Sequence, residues 1–182
     1  MPEAPAAAEL VEAFANTVDV EDGSDEIATP AALTSWLHAR GLLAPAEPAV
    51  PPATHAAYLA LRAGLRERLG AHVGDTPDAA LVEASDAVLA AQPVVVTTGG
   101  GLVPAPGLPA DRRPLAELAI AWSGLTATGE AARLKRCAEH TCGWVFRDVT
   151  KNRSRRWCSM RICGNRNKSR AYAARARAAS TP

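Results

Sequence analysis

Apolar positions recur at helical spacing through much of the first 130 residues, and the interruptions between them carry turn chemistry. Leu10, Val11 and Phe14 share one stripe, which predicts a helix over residues 5–15. The acidic stretch 16–26, with Gly23 inside it, reads as a loop. Thr29-Pro30 is a helix start, a hydroxyl to accept from orphan backbone N–H groups followed by a proline at the first helical position. Leu33, Trp36 and Leu37 line one face before Gly41 stops that helix. Residues 44–53 are rich in proline and alanine and read as an extended connection. A longer helix follows over 54–72, with Leu61, Leu65 and Leu69 in one row. Thr76-Pro77 repeats the start signal for a helix running to about Ala91.

β-Branched residues then take over. Val94-Val95-Val96-Thr97-Thr98, the triple glycine 99–101 and Leu102-Val103 predict a short hairpin. The glycines do not read as a phosphate loop, because no Lys-Ser/Thr follows and no helix begins there. After Pro114 an Ala/Leu-rich helix should run through Trp122, weaken at 126–129 and deliver the chain to Cys137. The pattern shows no internal repeat and no run of the roughly 18 apolar residues a spanning helix needs.

The four cysteines of the chain all lie in its last third, as Cys137-x4-Cys142 and Cys158-x4-Cys163. Two close pairs brought together by a short connection suit a tetrahedral four-thiolate zinc site, structural and closed, with one zinc ion per chain. The competing readings are two disulfides or four unrelated buried thiols. Met-Pro-Glu-Ala-Pro opens the chain without a hydrophobic signal segment, so the expected location is the reducing cytoplasm, where disulfides rarely persist. Between the pairs, 144–149 and 155–157 are read as two strands with the turn at 150–154, and Trp144, Phe146 and Trp157 as their packing. Residues 159–179 then favour helix, completing a treble-clef-like arrangement. On an ideal wheel Cys163 falls near the Arg166 stripe, so that helix is expected to begin after it or be distorted by the metal.

Charge divides the chain at the same place. Residues 133–182 hold fourteen Lys or Arg against two acids, a balance of +12, while residues 1–132 carry −11. A polyanion is the natural partner of the basic part, since each cation near a phosphate releases a condensed counterion. Candidate nucleic-acid contacts are Lys151, Arg153, Arg155, Arg156, Arg161, Asn165, Arg166, Asn167, Lys168, Arg170, Arg175 and Arg177. Arg161, Lys168 and Arg175 recur every seven residues, and Arg166, Arg170 and Arg177 lie nearly opposite. One face between them, Ile162, Tyr172, Ala173 and Ala176, is expected to pack inward. The other, with Asn167, is small enough for a major groove.

The fold class is therefore α+β: a mainly helical N-terminal domain with a small β element over residues 1–132, then a treble-clef-like four-cysteine zinc module over 133–182. A fragment ending near Glu130 is expected to fold alone and bind no DNA. Asn16, Thr17 and Asp19 follow the first helix; Asn16 and Thr17 either line a small-molecule effector pocket with Trp36 or Arg62, or only bond the helix end. His140 lies inside the first cysteine pair but four thiolates already suffice. His38, His55 and His72 have no acid or nucleophile at a telling spacing.

Cys163-Gly164-Asn165-Arg166, preceded by Arg155-Arg156-Trp157-Cys158-Ser159-Met160, resembles the signature of the CGNR zinc-finger family. Phe14-Ala15-Asn16-Thr17 and Leu33-Thr34-Ser35-Trp36-Leu37 resemble the start of the ABATE domain that usually precedes it. The resemblance implies a treble-clef zinc module held by Cys137, Cys142, Cys158 and Cys163, an α/β N-terminal domain, and a stress-related bacterial transcription regulator. Phe146-Arg147-Asp148-Val149-Thr150 departs from the family pattern at Arg147 and after Asp148.

The leading functional expectation is thus a duplex-DNA-binding regulator whose N-terminal domain senses a small molecule or mediates homo-oligomer assembly. The alternatives are an RNA-binding protein, less favoured because Trp144, Phe146 and Trp157 are expected to be committed to the zinc unit's core, and a module docking an acidic protein. A closed four-thiolate site leaves zinc no open position, and the chain offers no other catalytic constellation, so an enzyme is not expected.

Overall fold

The computed structural model describes residues 4–179. Six α-helices and three two-stranded antiparallel hairpins make an α+β fold. The first helix, α1 (Ala4–Ala15), packs against α5 (Arg113–Ala127), and α3 (Pro52–Ala71) runs beside α4 (Ala79–Ala90). Helix α2 (Pro30–Ala39) starts as its sequence dictates: the Thr29 hydroxyl accepts from the Ala32 N–H at 3.1 Å, with Pro30 at the first position. Helix α4 begins later than Thr76-Pro77 suggests. Its cap is Asp78, whose carboxylate accepts from the Ala80 and Leu81 N–H groups. Where α3 and α4 meet, Gly64 leaves no room for a side chain: a Cβ there would stand 2.2 Å from the Ser85 Cβ and 2.5 Å from the Leu81 carbonyl oxygen.

The acidic segment read as a loop holds a small hairpin, β1 (Val18–Asp19) with β2 (Ser24–Asp25). Its turn is held by the Asp19 carboxylate, which accepts from the Glu21 and Asp22 N–H groups. The predicted valine hairpin is present as β3 (Val94–Val96) and β4 (Leu102–Pro104).

The main core gathers Phe14, Ile27, Leu33, Trp36, Leu37, Tyr58, Leu61, Leu65 and Leu118. Phe14 lies 6.0 Å from Trp36 and 6.2 Å from Tyr58, ring centre to ring centre. A second core, of Ala7, Ala8, Val11, Ala15, Leu69, Ala121 and Leu125, also takes in Leu134 and Val145 from the cysteine-bearing region.

That continuity comes from a hairpin the sequence reading placed differently. Strand β6 (Val145–Arg147) pairs with β5 (Leu134–Arg136), ahead of the first cysteine, in the register Leu134–Arg147, Lys135–Phe146, Arg136–Val145. Residues 155–157 form no strand; the Arg156 carbonyl instead accepts a single bond from the Ala138 N–H. Because strand side chains alternate, Leu134 and Val145 face the helices while Lys135 and Phe146 face the cysteines. One hairpin therefore belongs to both parts of the chain.

Polar contacts reinforce the junction. The Asn16 side chain bonds the outer edge of β6 in both directions: its Nδ2 donates to the Val145 carbonyl and its Oδ1 accepts from the Val145 N–H, each at 2.8 Å. Buried Arg66 donates to the Ala15 and Gly143 carbonyls at 2.7 and 2.9 Å. His72 Nδ1 meets the Leu134 carbonyl oxygen at 2.7 Å, and Arg136 pairs with Glu67 and Asp75. A fragment ending near Glu130 would uncover Val11, Leu69 and Leu125 and leave Arg66 and Asn16 without these partners.

Asn16→Ala tests the junction. It strands a buried N–H and a buried C=O, which should cost about 1–3 kcal/mol each. A denaturant midpoint unchanged from the parent protein would show that Asn16 carries none of this coupling.

Candidate metal centre and nucleic-acid interface

The first cysteine pair sits in the turn of the β5–β6 hairpin. The Cys142 and Gly143 N–H groups donate to the Glu139 carbonyl, tightening the loop so that both thiols point to one place. Gly143 adopts φ 59°, and a Cβ there would stand 3.1 Å from both the Arg66 guanidinium and Val20, so glycine answers two demands at once. The second pair straddles a π-helical turn, Met160–Gly164, capped by the Ser159 hydroxyl accepting from the Ile162 N–H. Helix α6 (Asn165–Ala179) begins only after Cys163, later than residue 159 and one of the two outcomes its wheel position left open. Asn165 joins turn to helix by donating to the Arg161 carbonyl at 2.9 Å.

The four sulfurs lie within 4.8 Å of one another. Cys158 Sγ stands 3.6 Å from both Cys142 Sγ and Cys163 Sγ, close to the roughly 3.8 Å that bonds of about 2.3 Å in a tetrahedron impose. None is in a disulfide, and the Cys158 N–H points at Cys137 Sγ, 3.5 Å away. Burial pushes the Cys163 thiol up to about 11 and raises Cys158 as well, so metal binding must draw protons off. Cys137, Cys142, Cys158 and Cys163 fit one structural Zn2+ with four protein ligands. His140 is exposed.

Around this cluster Asp148 organises the chain between the cysteine pairs. Wholly buried, it accepts from Lys135 Nζ at 2.9 Å, from the Thr150 hydroxyl at 2.6 Å and from the N–H groups of Thr150 and Arg155. Burial opposes its ionisation, but those four bonds outweigh it and hold the carboxyl well below the usual carboxylate range. Lys135 also donates to the Arg153 and Arg155 carbonyls. This pair, absent from the sequence reading as a functional element, had one signal: Asp148 is one of only two acids in a strongly basic segment. The other, Glu139, is equally buried and pairs with Arg170.

These contacts divide the candidate cations. Arg153 reaches Gly129 and Glu130; Arg155 lies over the Phe146 ring at 4.9 Å and donates to the Cys158 carbonyl; Arg156 donates to the Val73 carbonyl. Arg166 pairs with Glu21 at 2.7 Å, and Arg170 with Glu139. Among the described residues, the side chains of Lys151, Arg161, Asn167, Lys168 and Arg175 make no ion pair or hydrogen bond, whereas Arg177 has an interaction of its own. Arg161 lies in the π turn, so the seven-residue row on α6 proper starts at Lys168.

Two expectations need correction. The face read as inward-packing is solvent-exposed: Ile162, in the π turn, is 53% and Tyr172, on α6, 71% accessible, because α6 packs mainly against the π turn from which it springs. Trp144 is 40% accessible, leaving Phe146 and partly buried Trp157 beside the cysteines.

The residues read as an effector pocket build the junction and core. Thr17 accepts from Arg62 at 2.9 Å, and Arg62 pairs twice with Asp25 at 2.7 Å, which holds that carboxyl below its ordinary value. Trp36 packs on Phe14. A cavity of about 340 Å³ does open beside Asn16, but Glu9, Glu12, Arg40 and Trp144 line it; Thr17, Trp36 and Arg62 do not.

A compact unit closed around four cysteines, with a helix springing from its last ligand, is the build of a structural zinc module. Residues 133–176 match the family model of the CGNR zinc finger, and the chain carries that module there. No curated protein matches the chain.

Freshly purified, reduced protein should contain one zinc per chain by elemental analysis, and Cys163→Ser should lower that content severalfold, since structural metal contributes folding free energy directly. Stoichiometric metal retained by the variant would show that Cys163 is not a ligand.

Proposed function

We propose that the protein is a DNA-binding transcription regulator. The zinc module would present α6 to duplex DNA, and an ABATE-like N-terminal part would act as sensor or assembly unit. The observation that carries this reading is the state of α6: about 22 Å of helix, exposed along its described side chains, with Lys168 and Arg175 unpaired in one row and Asn167 beside them. An Arg- and Lys-rich helix without an apolar contact face gains from binding phosphates what it does not gain from packing. A shallow groove at its base, lined by Arg161, Asn165, Arg166, Ser169 and Arg170, extends the positive surface onto the zinc unit. Zinc here is structural, with no position for water or substrate, so the reading includes no catalytic step.

RNA or single-stranded nucleic acid is the second reading. It is favoured by the exposure of Trp144 and Tyr172, which leaves two aromatic rings available for stacking on bases. Docking to an acidic protein surface is the third.

Titrating the zinc-loaded protein with duplex DNA, single strands and RNA across a salt series separates them. Duplex binding should weaken with salt, and Lys168→Ala should reduce the log–log slope by about one unit. Arg170→Ala should also loosen the anchor of α6 on Glu139 and cost more than one contact. Tighter binding to single strands would favour the second reading, and no salt-dependent binding to any nucleic acid would contradict the proposal.

A further inference from the structure

The hairpin β1–β2 brings the most acidic stretch of the chain to its most basic one. From Asp19 to Glu26, five of eight residues are acids. Two of them fix the hairpin itself: Asp25 is held by Arg62 at its base, and Asp19 accepts from the Glu21 and Asp22 N–H groups at its turn. Val20 then lies against Gly143, in the loop of the first cysteine pair, so the tip rests on the zinc unit. Placed this way, the Glu21 carboxylate receives the Arg166 guanidinium at 2.7 Å. Among the described residues this is the only side-chain hydrogen bond or ion pair that either residue makes.

This pair differs in kind from the one between Glu139 and Arg170. Glu139 is only 1% accessible, so its charge needs a permanent partner. The Glu21 and Arg166 side chains are 45% and 42% accessible, and water can take over from either partner. Arg166 also lines the groove at the base of α6, with Arg161, Ile162, Asn165, Ser169 and Arg170. A carboxylate and a phosphate offer a guanidinium the same oxygen acceptors, so they compete for its charge. Glu21 therefore stands on one of the cations that a nucleic-acid backbone would use.

We propose that the tip of β1–β2 is a built-in competitor of nucleic acid: Glu21 occupies Arg166 in the free protein and must release it before Arg166 can contact a phosphate. The inference rests on the nucleic-acid reading of α6 and adds a restraint on that same surface. The weakness of an exposed pair makes the restraint a graded one, lowering affinity without closing the site.

Glu21→Gln removes the charge while keeping the side chain's shape and the backbone N–H that the turn uses. Asp22→Asn removes an equal charge next to it, from a side chain with no ion pair or hydrogen bond among the described residues. The probe is a fluorescently labelled mixed-sequence duplex, bound to the full-length zinc-loaded protein and followed by anisotropy across a salt series. Glu21→Gln should bind roughly twofold to fivefold tighter than the parent protein at low salt, with a log–log slope steeper by up to about one unit. Asp22→Asn should gain less, and in an Arg166→Ala background Glu21→Gln should gain no more than Asp22→Asn does. Unchanged or weaker binding by Glu21→Gln would overturn the proposal, since the pair would then only orient α6. Equal gains from the two variants, or a gain that survives the loss of Arg166, would overturn it as well, leaving long-range charge alone. A parent protein that binds the duplex while Glu21→Gln changes nothing removes this inference only; no binding by the parent or any variant removes the duplex reading with it.

Discussion

The alternation of side chains along one short hairpin holds this protein together. On β5 and β6, Leu134 and Val145 turn into the helical core while the cross-strand pair Lys135 and Phe146 turns toward the cysteines. A register slip of one residue would exchange the two faces, placing a lysine among Ala8, Val11 and Leu69 and stranding Asp148 without its cation. The register is pinned from three sides: the Asn16 amide on the outer edge of β6, the Lys135–Asp148 pair beneath, and the first cysteine pair in the turn. The metal centre is thus built onto the helical body.

The opposite charges of the two parts take on a specific meaning in this arrangement. Several cations of the basic segment are consumed by the fold: Arg136 on Glu67 and Asp75, Arg153 on Glu130, and Arg155 and Arg156 on backbone carbonyls. Buried Arg66 crosses the same junction from the acidic part; burial lowers its guanidinium to about 10, yet it remains charged at neutral pH. What is left over concentrates on α6, where Glu21 and Glu139 hold Arg166 and Arg170. Those two pairs give an otherwise unpacked helix its direction. Glu139 is nearly inaccessible and Arg170 half exposed, so the anchor at the zinc knuckle is better shielded from salt than the exposed pair with Glu21.

Local chemistry was read correctly where it was self-contained. Thr29-Pro30 marked the start of α2, the valine run and triple glycine marked β3 and β4, and four cysteines with matched spacing marked one metal centre. The wheel conflict at Cys163 signalled a late start or a distortion of the last helix, and the structure has α6 starting after Cys163, behind a π turn. What escaped depended on distant partners. β5 is a three-residue strand of mixed polarity, Leu-Lys-Arg, with no alternation long enough to notice, and it exists because Val145 and the helical core select it. The inward face assigned to the last helix assumed a further neighbour, whereas α6 packs mainly against the π turn from which it springs. For Asn16 and Thr17 the sequence left a ligand role and a helix-end bond both open: the Thr17 hydroxyl does donate to the Phe14 carbonyl at the end of α1, whereas nothing in sequence signals the Val145 backbone, 129 residues away, that claims Asn16, or the Asp25 that claims Arg62.

The shared hairpin makes a thermodynamic claim: the helical body and the metal centre form one cooperative unit. Denaturant titration of the zinc-loaded protein, followed at once by far-UV circular dichroism and by zinc release to a weak chromophoric chelator, addresses it directly. The account predicts coincident transitions with the same midpoint from both signals. Zinc released in a separate, earlier transition while the helical signal stays intact would contradict it.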